Sequence, residues 1–252
     1  MVHFSNMTEE KTQTENKGFI ETLFGVGAHL GYSRARRHAS MKTMIFGSKS
    51  NTDIIDLTRT APLIEESLGF IRTLGAQGKT VLFVGGKPEI RDLVRETAES
   101  LNMPFVAGRW LGGTLTNFAE IKKRIQRLGS LTADKEAGVL AQKYTKKERL
   151  LIDREIIKLE ESFGGMSGVE QLPQALVVVD TRAENIAVTE AQQTGIPVVG
   201  IMNSDCDLRM VDHPIIGNDA SRKSVSFFLE KIAEAYQAGK KEGVKAPAKE
   251  GS

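Results

Sequence analysis

Short apolar runs alternate with helix-spaced apolar positions along most of the chain. Met44–Phe46 and Ile54–Leu57 read as strands. Pro62–Leu74 places Leu63, Phe70, Ile71 and Leu74 near helical spacing. Thr80–Val84 reads as a buried strand ending in Gly85-Gly86, after which Pro88 opens a helix to about Leu101 as a first-turn proline. Phe105–Val106, Ala175–Val179, Pro197–Met202 and Pro214–Ile216 are further strands. Ala183–Thr194 and Ser221–Ala238 are helices, the first stopped by Gly195. Near-continuous apolar strands separated by amphipathic helices predict an α/β domain with a mainly parallel sheet covered on both faces.

One segment breaks the rhythm. Phe118, Ile121, Ile125 and Leu128 are spaced 3, 4, 3, and Ile152, Ile156, Leu159 and Phe163 are spaced 4, 3, 4. Both are narrow coiled-coil seams with no strand signal between them, so residues 119–164 are predicted to form an antiparallel helical hairpin. The expected organisation is a flexible arm over 1–18, an α/β domain over 19–118 and 165–239 interrupted by the hairpin, and a disordered basic tail over 240–252.

Composition narrows the classes. The chain has 252 residues, 40% of them hydrophobic, enough for a core without staples. The single cysteine, Cys206, excludes an intramolecular disulfide and fits a reducing compartment. No apolar run approaches a membrane span and the N-terminus lacks a secretory pattern, so a cytosolic protein is expected.

Net charge is only +2, and the four lysines and two glutamates of Lys240–Ser252 account for it, so polyanion binding must come from local clustering. The strongest bias lies between Thr22 and Thr52, where Arg34, Arg36, Arg37, Lys42 and Lys49 stand with no Asp or Glu. Five cations without a nearby acid repel one another, and a polyanion would relieve that while releasing its counterions. The hairpin is also cation-dense: Lys122, Lys123, Arg124 and Arg127 on one helix, and Lys143, Lys146, Lys147, Arg149, Arg154 and Lys158 toward the other, with acids interspersed.

Two glycine pairs follow apolar segments, FVGGKPE (Phe83–Glu89) and RWLGGTLTNF (Arg109–Phe118). Backbone N–H groups at such turns can hold a phosphate, but the dinucleotide and P-loop fingerprints are both absent. In the second loop the alternatives are a packed Trp110 with Thr116 or Asn117 capping the next helix, or Arg109 and the glycine amides meeting a phosphate backbone. Asp180, Asp205, Asp207, Asp212 and Asp219, with Cys206 and His213, lie near predicted strand ends, where turn chemistry and a hard metal compete as explanations. The four histidines sit in no catalytic motif. No catalytic residue, cofactor or metal is assigned.

An ordered series of motifs carries a resemblance. GAHLGY (Gly27–Tyr32), MKTMIFG (Met41–Gly47), IIDLTRT (Ile54–Thr60), LFVGGK (Leu82–Lys87), RWLGGTLTNF, YTKKE (Tyr144–Glu148), KLEESFGGM (Lys158–Met166), LPQALVVVD (Leu172–Asp180), EAQQTGIPVVGI (Glu190–Ile201) and IGNDA (Ile216–Ala220) resemble the bacterial-type small-subunit ribosomal protein "S two" family over roughly residues 19–238. The family's second histidine is Tyr32 here, its W-N-P before M-K is Arg37-His38-Ala39-Ser40, and its D-T-N-x-D-P is replaced by Met202–Leu208. The resemblance implies a flavodoxin-like (Rossmann-like) three-layer domain with an inserted coiled-coil hairpin. It implies a non-enzymatic cytoplasmic ribosomal role: binding small-subunit rRNA near the head–body junction, beside neighbouring ribosomal proteins, and seating the large mRNA-binding S-one protein. The expected RNA-contacting residues are Arg34, Arg36, Arg37, Lys42, Lys49, Arg109, Lys122, Lys123, Arg124, Lys146 and Lys147. The rival class is a Rossmann-like nucleotide- or sugar-phosphate-binding enzyme using Gly85-Gly86 and Gly112-Gly113.

Overall fold

The structure is a computed structural model that describes residues 17–245. The expectations for residues 1–16 and 246–252 lie outside the described residues. The described residues divide into two compact units, one comprising 17–79, Val179–Arg182 and 199–245, the other Thr80–Val178 and Ala183–Val198.

In the first unit, helix α1 (17–25) is followed by strands β1 (Leu30–Ser33), β2 (Ile45–Lys49) and β3 (Thr52–Ile55), which form an antiparallel sheet of order β1-β3-β2. The apolar pattern missed β1 and gave no hint of a second sheet. Its cause is the turn between β2 and β3, where Ser50 and Asn51 both hold positive φ (49° and 65°). Two such residues make the tight hairpin turn whose twist matches its strands. Two short 3₁₀ turns, Arg34–Arg36 and Ala39–Met44, carry Arg34, Arg36 and Lys42 of the acid-free segment.

Helix α2 (Leu57–Ala76) starts five residues before the predicted Pro62, because Asp56 caps it by accepting from the Thr58 N–H at 3.0 Å. The last helix, here α8 (Arg222–Lys245), passes the point where a disordered tail is expected to begin. Its glycines explain the difference. A Cβ on Gly239 or Gly243 would collide with the α2 carbonyls of Arg72 and Ala76, so these glycines let the two helix backbones touch, and Arg72 pairs with Glu242 across the seam. Met41, Ile55, Met202, Cys206 and Ile216 form a buried cluster in this unit.

In the second unit, β4 (Val81–Val84), α3 (Arg91–Leu101), β5 (Phe105–Val106) and β6 (Ala175–Val179) form the parallel core, with every residue of β4 and β6 buried. Helix α3 begins three residues after Pro88, which lies in the preceding turn. Helices α4 (Phe118–Glu136), α5 (Val139–Lys143) and α6 (Lys146–Phe163) follow β5. Ile121, Ile125 and Leu128 on α4, with Leu140 from α5 and Phe163 at the end of α6, bury the seam. Arg127–Glu155 and Lys135–Asp153 clamp α4 to α6 at 2.5 and 2.7 Å. Helix α7 (Asn185–Thr194) ends on left-handed Gly195. Strands β7 (Val198–Met202) and β8 (His213–Ile216), which fall in the first unit from Val199 on, form a parallel pair, and the five-stranded sheet has the order β5-β4-β6-β7-β8.

Candidate nucleic-acid interface

The acid-free segment is compensated in space. Arg37 donates to both Asp53 carboxylate oxygens, Nε at 2.6 Å and Nη2 at 2.5 Å, and the Ser48 hydroxyl donates to the same carboxylate at 2.7 Å. Asp53 is fully buried. The Arg37 guanidinium holds its carboxyl below the ordinary aspartate range against the opposing effect of burial, and Ser48 helps. Arg36 donates to Asp205 Oδ2 at 2.9 Å and stacks over the Tyr32 ring at 4.2 Å. The expectation of five uncompensated cations is therefore corrected: acids 16 and 169 residues away in sequence neutralise two of them. Arg37 holds the loop together; Arg34, Lys42 and Lys49 are exposed and have no ion-pair partner among the described residues.

In the second unit, Lys123 pairs with Glu120 at 2.6 Å and Lys122 donates to the Glu170 carbonyl at 3.0 Å. Arg109, Arg124, Lys146 and Lys147 are exposed without an ion-pair partner among the described residues. Lys146 and Lys147 occupy the first turn of α6, where a capping box, Thr145 with Glu148, fixes the helix start. Cations at the positive end of a helix dipole cost about 0.3–1 kcal/mol each, so this pair is not there for helix stability.

The RWLGGTLTNF loop is filled from within. Glu190 Oε1 accepts from Trp110 Nε1 at 3.1 Å and the Gly113 N–H at 2.8 Å. Its Oε2 accepts from the N–H groups of Leu115 at 2.9 Å and Thr116 at 3.1 Å, and from the Thr116 hydroxyl at 3.1 Å. Burial alone would raise this carboxyl; the converging donors outweigh it and hold the group below its ordinary value. The donors available for a phosphate are thus taken by the protein's own carboxylate. Asn117 occupies the N-cap position of α4 without a side-chain cap, and Thr116 turns its hydroxyl to Glu190 instead. The other glycine loop follows the same plan. The Gly86 N–H donates to Glu184 Oε1 at 2.9 Å, and a Cβ at Gly86 would stand 2.6 Å from the Gly108 carbonyl oxygen.

The acidic residues near the strand ends are mostly engaged. Asp207 accepts from Arg209, which holds its carboxyl down to about 2, and Asp205 takes two arginines. Asp180, Cys206 and Asp219 do come together, all buried, with donor atoms within 4.8 Å of one another. Burial pushes the Cys206 thiol up to about 12.

Sequence reasoning missed Glu184, Glu190, Asp53 and Arg182, and it singled out Asp205 only as one of an acidic group near the strand ends. Only Glu190 had a legible signal: it shares a helix face with Ala187 and Ala191, and a carboxylate on a buried face needs internal donors.

The α/β fold fills its two glycine-rich loops with its own glutamates and leaves several cations exposed on turns and at a helix start. Residues 23–239 match the family described as Ribosomal protein S2, and the chain belongs to that family. It is 42% identical over 220 residues to a protein of Acidothermus cellulolyticus named "Small ribosomal subunit protein uS2", covering 87% of this chain and 80% of that one. Proteins of the same name from Wolinella succinogenes and Syntrophobacter fumaroxidans are 40% and 41% identical over 221 and 222 residues, each covering 88% of this chain and 81% of the relative. The chain is a ribosomal protein of the small subunit and not an enzyme.

Proposed function

We propose that the chain binds small-subunit rRNA through its exposed cations, by electrostatic positioning and shape recognition with little base-edge readout. The observation that carries this reading is the turn segment of the first unit. Its shape is fixed by Arg37 on buried Asp53, while Arg34, Lys42 and Lys49 are exposed and make no ion pair among the described residues. Arg109, Arg124, Lys146 and Lys147 supply the same chemistry in the second unit, with Lys122 and Lys123 already engaged internally. Residues 119–164 form an insertion into the α/β domain in this reading. The family resemblance supports a place near the head–body junction of a cytoplasmic ribosome and a role in seating the S-one protein.

The test is equilibrium binding of a small-subunit rRNA transcript across a salt series. Replacing Arg34, Lys42 and Lys49 together with alanine should weaken binding and reduce the slope of log affinity against log salt by about two to three units. An unchanged slope would place the RNA surface elsewhere.

The nucleotide-binding alternative predicts the opposite of what closed loops allow. Millimolar ATP, GTP or NAD should leave the melting temperature unchanged. A site with a Kd of ~10 μM would stabilise by about 2.7 kcal/mol at ~1 mM ligand, a shift of several degrees. Gly86→Val cannot serve as the control, because its Cβ meets the Gly108 carbonyl whether or not a ligand binds.

A further inference from the structure

One buried carboxylate in the first unit gathers two arginines. Asp205, with 2% of its side chain exposed, accepts from Arg36 Nη2 and from Arg182 Nη1, both at 2.9 Å and both on Oδ2. Its Oδ1 faces the Cys206 thiol at 3.8 Å. The two guanidinium groups therefore meet at a single oxygen atom. Each side chain remains about half exposed, 51% for Arg36 and 53% for Arg182. Arg36 is further fixed by the Tyr32 ring beneath it.

A structural tie needs one arginine. Two guanidinium groups on one carboxylate oxygen hold like charges side by side at half-exposed positions, although the buried carboxylates of Asp180 and Asp219 gather at the neighbouring Cys206 thiol. A guanidinium carries five N–H donors in a planar fork, and neither group has another side-chain hydrogen-bond partner among the described residues. The arrangement suits an anion with several oxygens. Because the carboxylate and the aromatic ring already hold the side chains, binding such an anion freezes few additional rotamers.

Resting on the rRNA-binding reading, we propose that Arg36 and Arg182, organised by Asp205, form a fork that clamps one phosphate of the RNA backbone. Arg182 joins the interface from a turn that no charge run marks, and Asp205 is a positioning residue that contributes through the arginines.

The test uses the full chain and a small-subunit rRNA transcript, with affinity measured over a salt series and melting temperatures taken for every variant. Arg182→Ala leaves Asp205 paired with Arg36. It should bind about tenfold more weakly, with the salt slope reduced by about one unit. Arg182→Lys keeps the charge but loses the fork, and should also bind more weakly than wild type. Asp205→Asn separates the fork from plain charge counting. It raises net charge by one, so charge alone predicts tighter binding, whereas loss of the organising carboxylate predicts weaker binding. Wild-type affinity and slope in both Arg182 variants, or tighter binding by a folded Asp205→Asn, would overturn the fork while leaving the RNA reading intact. Should Asp205→Asn fail to fold, the two Arg182 variants decide. Absence of salt-dependent binding by the wild-type chain would overturn both readings.

Discussion

Replacing Glu190 with alanine is expected to lower the melting temperature by roughly 10 °C or more, one of the two largest effects expected of a single change in this chain. The carboxylate satisfies the indole N–H of Trp110 and the backbone N–H groups of Gly113, Leu115 and Thr116. Trp110 and Leu115 are 5% and 2% exposed, so their donors have little access to bulk water once the acceptor is gone. Each buried donor left without a partner costs about 1–3 kcal/mol, and water entering the vacated space recovers part of the total. About 4 kcal/mol is a conservative sum, large because one side chain serves several donors. Glu190→Gln should fall between wild type and alanine, because its amide keeps one acceptor oxygen and turns an N–H toward donors that need the other. Trp110 is the only tryptophan, so its emission reports this loop directly and should shift to longer wavelength in the alanine variant. The pH dependence follows from the direction of the shift. The folded carboxyl lies below its unfolded value, so its contribution is complete above the ordinary glutamate range and is lost as pH falls through the lower folded value. Glu190→Gln should therefore flatten acid unfolding as well as reduce stability at neutral pH. An alanine variant within two degrees of wild type would show that the loop is held by its apolar packing alone.

Elements whose apolar pattern is imposed by burial on both faces were legible in the sequence. β6 matches residue for residue, and β4 and β7 differ by a single residue at one end. Features set by backbone conformation or by long-range polar pairing were not. β1 contains the polar-flanked LGYS, whose strand character comes from pairing with β3 rather than from propensity. The β2–β3 turn uses Ser50-Asn51 instead of the more recognisable Asn-Gly. Helix α8 outran its apolar pattern because glycine seams carry no hydrophobic signal. At the interface, the cations were visible as types and positions, but their partners were not. A charge run is read along the chain, whereas Asp53 and Asp205 neutralise theirs across space. The same limit hid the plan of the glycine loops. Donors were legible at Gly86 and Gly113; the acceptors that fill them are 98 and 77 residues away.

That distinction between charges that bind and charges that hold the fold governs the second large effect. Arg37→Ala should destabilise the protein by about 3–5 kcal/mol, because it leaves a buried carboxylate with its main counter-charge removed. Asp53 has no exposed side-chain surface, and after the substitution the Ser48 hydroxyl is the one donor left to it among the described residues. Arg34→Ala, which removes an equal charge from an exposed side chain three residues earlier, should move the melting temperature by less than about two degrees. The pair must be judged as a unit. Arg37→Leu combined with Asp53→Leu removes both charges and should recover much of the loss, since an apolar replacement of a buried ion pair is often close to neutral. The acid limb gives an independent check. Arg37 holds the folded Asp53 carboxyl below its unfolded value, so its stabilisation is present above the ordinary aspartate range and lost as pH drops through the folded value. Without the guanidinium, burial acts on Asp53 with little opposition and raises its carboxyl, so the variant's acid-unfolding midpoint should move to higher pH. A variant with unchanged melting and an unchanged acid midpoint would mean that water reaches Asp53 and that the Arg37 contact is dispensable. Loss of RNA binding in Arg37→Ala would then report a direct phosphate contact, whereas loss accompanied by the expected destabilisation reports the collapse of the turn that presents Arg34, Lys42 and Lys49.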